Sequence, residues 1–312
     1  MQLRTLFAGA TAAVGGAVLG NRVLRSRAGT LENPVPGVER SYRWRGMDVQ
    51  YTVAGEPDAP QMVLVHGIHA GASSQEFAAV VEKLADSYRV FVVDLPGFGR
   101  SDRPPLVYSP SLYAEFLRDF IRDETDHPIV VASSLSGAFA VEAASHEQTD
   151  LEQLILICPL DDTGERRPWV RTLLRTPVLG TALFNVLASR PSIRYFFERD
   201  GYYDADRIDR EELEYAWRSA HQPGARYAPA SFAAGTLDPD VDLATELAAL
   251  EVPTTLVWGR DARLVPLRDG RELADAADAT LVVIDYATQL PHAEHPEKFI
   301  EYLEAELPRA ER

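Results

Sequence analysis

Six short apolar runs recur along the chain, and most are separated by stretches whose apolar residues fall at helical intervals. The runs, at residues 62–65, 90–93, 129–132, 154–158, 254–258 and 281–284, do not alternate and are apolar apart from two threonines that begin the fifth. Such runs are typical of strands buried on both faces, as in a parallel sheet. Tyr113, Phe116, Leu117, Phe120 and Ile121 show the helical spacing between two of these strands. The alternation predicts a parallel sheet with helices on both faces.

Two earlier segments have the pattern of a hairpin. Residues 41–44 and 48–53 alternate between apolar and polar side chains and are joined by Arg45-Gly46. This pattern predicts an antiparallel hairpin at the edge of the sheet. Together with the six runs, it predicts an α/β fold with a mostly parallel sheet of about eight strands.

Ser134 follows one predicted strand at the point where a helix begins. Residues 129–138 have the strand-to-helix form of the G-x-S-x-G turn, which exposes a nucleophilic serine. Ala132 and Ser136 stand where that turn usually has glycine, but both side chains are small enough to let strand and helix approach. A serine at a helix start after an apolar strand is also common without any such chemistry. Ser134 is therefore a candidate nucleophile that needs support from other motifs.

Four further motifs accompany this turn, in a fixed order. With Ser134 they resemble those of the α/β-hydrolase superfamily, over roughly residues 38–308. A dinucleotide-binding loop is excluded at Gly97 and Gly99, because no third glycine and no helix start follow them. The motifs are His66-Gly67, the D-x-x-G-x-G-x-S segment at residues 94–101, Trp258-Gly259 followed by Pro266, and Leu290-Pro291-His292 followed by His295-Pro296.

The resemblance implies a specific chemistry. In this superfamily a serine attacks a carbonyl carbon, a histidine takes the serine's proton, an acid orients the histidine, and two backbone N–H groups bind the oxyanion. The nucleophile then corresponds to Ser134. The oxyanion donors correspond to the N–H groups of Leu135 and of Ile68, or of His69 beside it. We expect no metal and no cofactor.

Two positions of the implied triad carry other residues. Gln289 directly precedes Leu290, where the superfamily has its histidine, and Ala262 stands where the acid is usual, with Asp261 before it. A neutral amide cannot carry a proton away at pH 7. Losing a triad base can cost on the order of a millionfold in rate. The base is therefore absent from its usual position.

Other residues could replace the missing groups. His292 and His69 are candidate bases, and Asp162 or Asp161, after the sixth strand, are candidate acids beside Asp261. His292 lies three residues beyond the usual position, a length that extended chain spans in up to ~10 Å. Each candidate can also be explained by structure alone. His292 would lie beside the last helix and His69 on a solvated loop. Asp161 and Asp162 would form a turn.

The segment at residues 159–246, between the sixth and seventh predicted strands of the parallel sheet, lies where this superfamily inserts a helical cap over the active site. One interpretation of its many aromatic rings is that they form the core of the cap. The other is that some line an apolar pocket above Ser134, which would favour a hydrophobic acyl or aromatic ligand. The rings are Trp169, Phe184, Tyr195, Phe196, Phe197, Tyr202, Tyr203, Tyr215, Trp217, Tyr227 and Phe232.

The predicted organisation has three parts: an N-terminal apolar segment at residues 1–30, a hydrolase core at residues 31–158 and 247–312, and the cap at residues 159–246. Residues 5–21 are uncharged and would span ~25 Å as a helix, slightly short of a ~30 Å hydrocarbon core. Arg22, Arg25 and Arg27 follow. We expect either a tether to the inner face of the cell membrane, with a cytoplasmic catalytic domain, or a segment lying loosely on the surface.

Charge excludes some functions. The formal net charge is −16, which makes nucleic acid an unsuitable partner. Lys83 and Lys298 are the only lysines among 31 basic residues. An acidic, lysine-poor surface suggests a salt-adapted organism, although a GC-rich genome would also favour arginine. The single cysteine, Cys158, permits no disulfide within the chain, which fits a reducing compartment.

Two functions remain open. The first is a serine hydrolase of esterase type that acts on an apolar ester through Ser134, with a non-standard or incomplete triad. The second is a non-catalytic relative that binds a small apolar ligand or a protein partner.

Overall fold

A single sheet of eight strands organises the protein. The computed structural model describes residues 2–146, 149–239 and 242–307. The strands are β1 (Val38–Trp44), β2 (Met47–Ala54), β3 (Gln61–Val65), β4 (Arg89–Val93), β5 (Ile129–Ser133), β6 (Gln153–Ile157), β7 (Thr254–Gly259) and β8 (Thr280–Ile284). Their order in the sheet is β1-β2-β4-β3-β5-β6-β7-β8.

Strand direction follows the predicted pattern. β1 and β2 form an antiparallel hairpin around Arg45-Gly46, and β2 also pairs antiparallel with β4. All remaining neighbours are parallel. The α/β class, the edge hairpin and six strands at the predicted runs are therefore confirmed. The prediction that all six are buried on both faces is wrong for β8, because it is an edge strand and only Val282 and Ile284 are buried.

Helices cover both faces of the sheet. In chain order, the α-helices of the described residues are α1 (Gln2–Ala28), α2 (Ala78–Leu84), α3 (Pro110–Glu124), α4 (Leu135–Ala144), α5 (Pro168–Arg175), α6 (Leu179–Leu187), α7 (Arg190–Phe196), α8 (Arg210–Ala220), α9 (Tyr227–Ala233), α10 (Leu243–Ala249), α11 (Leu267–Ala277), α12 (Pro291–Glu294) and α13 (Pro296–Glu306). Phe116 and Phe139 of α3 and α4 pack on one face of the sheet, and Val80 and Phe299 of α2 and α13 pack on the other. Because the strands are buried on both sides, their carboxyl ends form a rigid edge for a site.

The segment between β6 and β7 carries helices α5 to α10. It contains an apolar cluster that includes Leu174, Phe184, Ile193, Phe197 and Trp217. The first interpretation of the cap aromatics therefore holds for these buried rings. Other rings of the same segment are exposed, Trp169 to 64% and Tyr195 to 61%.

Helix α1 packs against the cap rather than standing apart. Asn21 donates through Nδ2 to the Val178 carbonyl at 3.1 Å, and Asn185 donates to Asn21 Oδ1 at 2.9 Å. Arg218 of α8 donates to the Ala28 carbonyl at 2.9 Å. No helix within residues 2–146, 149–239 and 242–307 has the length and apolar character needed to cross a bilayer. Membrane association through residues 5–21 stays a prediction.

Candidate active site

Ser134 occupies a strained turn between β5 and α4. Its backbone angles are φ 55° and ψ −131°, a region that costs a residue other than glycine about 1–3 kcal/mol. The Ser134 N–H donates to the Ile157 carbonyl at 2.8 Å, which fixes the turn against β6. Leu135 is the first residue of α4, so its N–H has no acceptor within the helix. Such a turn presents a serine hydroxyl beside a free N–H group.

The two substitutions in the serine motif leave the packing of this turn intact. Ala132 is completely buried in β5. Ser136, also completely buried, donates through its hydroxyl to the His66 carbonyl at 2.7 Å. Gly137 comes so close to the segment after β6 that an added Cβ would lie 2.9 Å from Pro159 Cβ. Ser136 therefore replaces a glycine with a hydrogen bond to the neighbouring loop.

The loop after β3 lies directly against Ser134. An added Cβ on Gly67 would be 3.2 Å from Ser134 Cβ. Leu95 N–H donates to His66 Nε2 at 3.1 Å, so the proton of this ring is on Nδ1, which donates to the Gly67 carbonyl at 2.7 Å. His66 is thus a neutral residue that shapes the loop. Ile68 follows, 4% exposed.

The D-x-x-G-x-G-x-S segment supports the same loop. Asp94 accepts from Ser74 N–H at 2.7 Å through Oδ1 and from Arg100 Nε at 2.8 Å through Oδ2. Gly99 has a φ of +49°, and an added Cβ there would lie 2.0 Å from Asp94 Oδ1. The segment therefore has a structural role that requires glycine at this position.

Gln289 is buried in the position where the superfamily has its histidine. Its Nε2 donates to the Cys158 carbonyl at 3.0 Å. Its Oε1 has no hydrogen-bond partner among the described residues, although it is buried. The Gln289 backbone N–H donates to the Asp200 carbonyl of the cap at 3.3 Å. Cys158 lies just beyond β6 rather than within it and has a positive φ of 40°.

His292 pairs with a carboxylate that the sequence did not indicate. Its Nε2 lies 3.4 Å from Glu76 Oε1, and both side chains are almost completely buried. The His292 ring packs between Phe77 and Phe299, at centroid distances of 4.9 and 5.7 Å. The other oxygen, Glu76 Oε2, accepts the Gly67 N–H at 2.9 Å. Glu76 therefore stands between His292 and the loop that touches Ser134.

The electrostatics of Glu76 favour its charged form. Burial alone would raise its pKa, but His292 and neighbouring donors outweigh burial and lower the pKa to about 2. A carboxylate with so low a pKa is a weak general base near pH 7. We therefore assign Glu76 to holding the Gly67 loop rather than to proton transfer.

His69 borders an apolar pocket between the loop after β3 and the cap. Burial lowers the pKa of His69 to about 4, and its Nδ1 accepts the Gly71 N–H at 3.3 Å. Its ring stacks on Phe196 at 5.7 Å. The apolar pocket has a volume of about 230 Å³. Its lining includes His69, Leu174, Phe184, Leu187, Ile193, Phe196, Phe197, Pro229 and Phe232.

A second, acidic pocket lies on the other side of His69. Glu76 from the core and Glu212 from α8 both line it, together with Leu290, and its volume of about 20 Å³ is enough for one water molecule. Tyr202 donates to Glu212 Oε2 at 2.7 Å. Burial raises the pKa of Glu212 to about 7, and the nearby Glu76 charge adds to this shift. Glu212 is therefore an ionisable group whose pKa lies near neutral pH.

The candidate acids lie in three different settings. Asp162 is exposed and closes a turn by accepting the Gly164 N–H at 2.7 Å. Asp161 accepts the Leu243 N–H at 3.0 Å at the start of α10. Asp261 is half-buried after β7, where its backbone N–H donates to the Ala287 carbonyl at 2.9 Å. Ala262, in the usual acid position, is buried.

Glu76 and Glu212 are the site residues that sequence reasoning missed. The former directly precedes Phe77 at the end of the Gly67 loop, and the latter lies in the polar segment of α8. Neither belongs to a motif. Their positions become informative only when tertiary contacts bury them, because an exposed glutamate has the same sequence signature.

The comparison with known proteins agrees with this geometry. A model described as the alpha/beta hydrolase family matches residues 62–302. The chain belongs to this family. Among its curated relatives, a pimeloyl-[acyl-carrier protein] methyl ester esterase of Aeromonas salmonicida is 30% identical and aligns over 78% of this chain and 93% of its own. The family relatives named here are esterases or hydrolases.

Two further family members show the same breadth of match. A 2-hydroxy-6-oxo-6-(2'-aminophenyl)hexa-2,4-dienoic acid hydrolase of Metapseudomonas resinovorans is 26% identical over 84% of this chain and 88% of its own. The solved structure of a serine hydrolase involved in carbazole degradation superposes with a TM-score of 0.71 and 23% identity, covering 86% of this chain and 98% of the other. The second similarity supports the fold.

Proposed function

We propose that this protein is a serine-dependent hydrolase of apolar carboxylic esters, with Ser134 as its nucleophile. The observation that carries the proposal is the strained strand-to-helix turn at Ser134, with a φ of 55°, which is of the kind on which α/β-hydrolases present a serine nucleophile. A strain of this kind is retained where a turn must present a reactive group. The esterases among the relatives support the same reaction class.

In the proposed reaction, Ser134 Oγ attacks the ester carbonyl carbon and its proton passes to a base. The N–H groups of Leu135 and Ile68 stabilise the negative charge on the carbonyl oxygen. The alcohol then leaves, and water releases the acyl group from the serine. The acyl chain would occupy the apolar pocket, whose lining offers almost no polar partner.

The base is the unusual part of the proposal. Gln289 cannot accept the proton, and Glu76 has too low a pKa. Neither side chain can therefore activate Ser134 as a triad histidine does. The proton of the Ser134 hydroxyl then passes to solvent water, and we expect slow turnover because no side chain is positioned as the base.

Labelling with a fluorophosphonate probe tests the nucleophile. The wild-type protein and Ser133→Ala should be labelled, while Ser134→Ala should not. Ser133 is a matched control because it is the adjacent serine and is completely buried. Circular dichroism confirms that each sample is folded. A folded wild-type protein that resists the probe would overturn the proposal.

One observation favours a second function. The Gln289 amide donates to the Cys158 carbonyl, whereas a catalytic histidine in this position would be expected to accept the proton of Ser134. A protein with this site could bind an apolar ligand in the 230 Å³ pocket without turning it over. Saturable binding of a fluorescent fatty acid, combined with no labelling of Ser134, would favour this function. Phe196→Asp should then remove the binding.

A further inference from the structure

Two contacting helices of the cap expose an apolar face. Leu179, Leu183, Val186 and Leu187 of α6 follow one helical stripe, and Val186 is 66% exposed and Leu179 58%. On α5, Trp169 and Leu173 lie one turn apart and are also exposed. We call these six residues the cap face. Single exposed apolar residues are common, but a contiguous set of this kind marks an interaction site.

The two sequence segments that contain the cap face and helix α1 have a net charge opposite in sign to that of the whole protein. Residues 1–31 and 166–197, which contain α1 and α5 to α7, carry ten of the 31 basic residues and none of the 47 acidic ones. The remaining chain therefore has 21 basic and 47 acidic residues. Arg22 and Arg25 of α1 form no ion pair with any residue in the described ranges. Arg167, Arg190 and Arg194 pair with glutamates outside these segments. Arg22 and Arg25 are therefore the arginines that we consider available to an anionic partner.

A polar cleft of about 290 Å³ lies between α1, α6 and the end of α8. Arg22, Arg25 and Arg226 line it, together with His221. His221 is 5% exposed, and its Nε2 has no hydrogen-bond partner among the described residues. Phe184 lines both this cleft and the apolar pocket. One ring therefore separates a basic polar cleft from the pocket proposed for the acyl chain.

We propose that the cap face docks onto an anionic lipid surface, with a headgroup phosphate in the cleft beside Arg22 and Arg25. Leu187 belongs to the cap face, is 54% exposed and also lines the apolar pocket, so the pocket would adjoin the docked bilayer. Peripheral docking of this kind combines apolar insertion with attraction to anionic headgroups. Only the delivery of a lipid-derived ester into the pocket rests on the proposed hydrolase function.

Vesicle flotation with the full-length protein tests this docking. The probes are vesicles of phosphatidylcholine alone and of an equimolar mixture of phosphatidylcholine and phosphatidylglycerol. Leu179→Asp/Val186→Asp tests the cap face, and Arg22→Gln/Arg25→Gln tests the cleft. Val38→Asp/Tyr302→Asp is the control for added negative charge at exposed apolar positions, at 58% and 40% exposure. Arg40→Gln/Arg271→Gln is the control for loss of two exposed arginines.

We expect binding to the mixed vesicles, and little to phosphatidylcholine alone. The cap-face variant should lose binding, and the arginine variant should bind about fivefold more weakly for each arginine removed. Both controls and Ser134→Ala should bind like the wild type, which separates docking from hydrolysis.

Unchanged binding by the cap-face variant would mean that another segment contacts lipid, and would overturn the proposal. A dimer that the same variant dissociates, with no vesicle binding by wild type, would instead make the cap face a contact between two copies.

Discussion

Ser134 and Gln289 are bound to consecutive carbonyl groups of the chain. The Ser134 N–H donates to Ile157 at 2.8 Å, and Gln289 Nε2 donates to Cys158 at 3.0 Å. The end of β6 therefore holds the serine turn and the loop after β8 side by side. Gln289, which the resemblance to the superfamily places in the position of the catalytic histidine, thus uses its amide nitrogen to bind the end of β6.

Gln289→His should raise ester hydrolysis if no other base serves Ser134. A positioned base contributes about 10²–10⁴-fold, and we expect the lower end of this range because Ala262 provides no carboxylate to fix the tautomer of the new imidazole. The double variant Gln289→His/Ala262→Asp should therefore exceed the single one. Initial rates with a short-chain aryl ester measure both.

The control for this gain is Ser134→Ala in the Gln289→His background, which should lower hydrolysis to the level of Ser134→Ala alone. If Glu212, His292 or His69 already serves as the base, Gln289→His should leave activity flat or lower it by crowding. That result would contradict the interpretation that Ser134 lacks a base because glutamine stands at position 289.

Ser134→Gly should be more stable than Ser134→Ala. Both lose the hydroxyl, but glycine adopts the observed φ of 55° and ψ of −131° without the strain that a Cβ causes. We expect the free energy of unfolding to differ by about 1 kcal/mol in favour of glycine. Urea denaturation of the two variants measures the difference, and an alanine variant as stable as the glycine one would show that the turn is not strained.

The sequence predicts the scaffold of the site better than its chemistry. The strands and the turn at Ser134 follow from local pattern, because apolar runs and small residues favour the same local structure wherever they occur. The substitution at Gln289 is recognised only through the resemblance to the superfamily. The role of Glu76 does not follow, because it depends on the approach of His292 from helix α12, more than 200 residues away in sequence. The aromatics of the cap show the same limit, since periodicity does not distinguish buried Phe197 from exposed Tyr195.

Glu212 should make stability fall as pH rises towards neutrality. Its pKa is about 7 in the folded protein and 4.5 in its reference state, so the folded state holds a proton that the unfolded state releases between these values. Unfolding therefore becomes more favourable by about 3 kcal/mol across this window. Glu212→Gln, which can still accept the Tyr202 hydrogen bond, should remove this fall. Denaturant midpoints from pH 4.5 to 7.5 compare the two proteins, and parallel curves would contradict the shifted pKa.

Salt should stabilise the folded protein, because its acidic residues are concentrated outside the two basic segments. With 47 acidic residues and 21 basic ones in that remainder, repulsion weakens the compact state until ions screen it. The thermal unfolding midpoint should rise between low and molar sodium chloride. A variant with Glu56, Asp58, Glu297 and Glu301 changed to their amides should begin with a higher midpoint at low salt and gain less from added salt, since those exposed charges no longer need screening. An unchanged midpoint in the wild-type protein would mean that its acidic surface is not an adaptation to salt, and would leave the high arginine content to be explained by base composition.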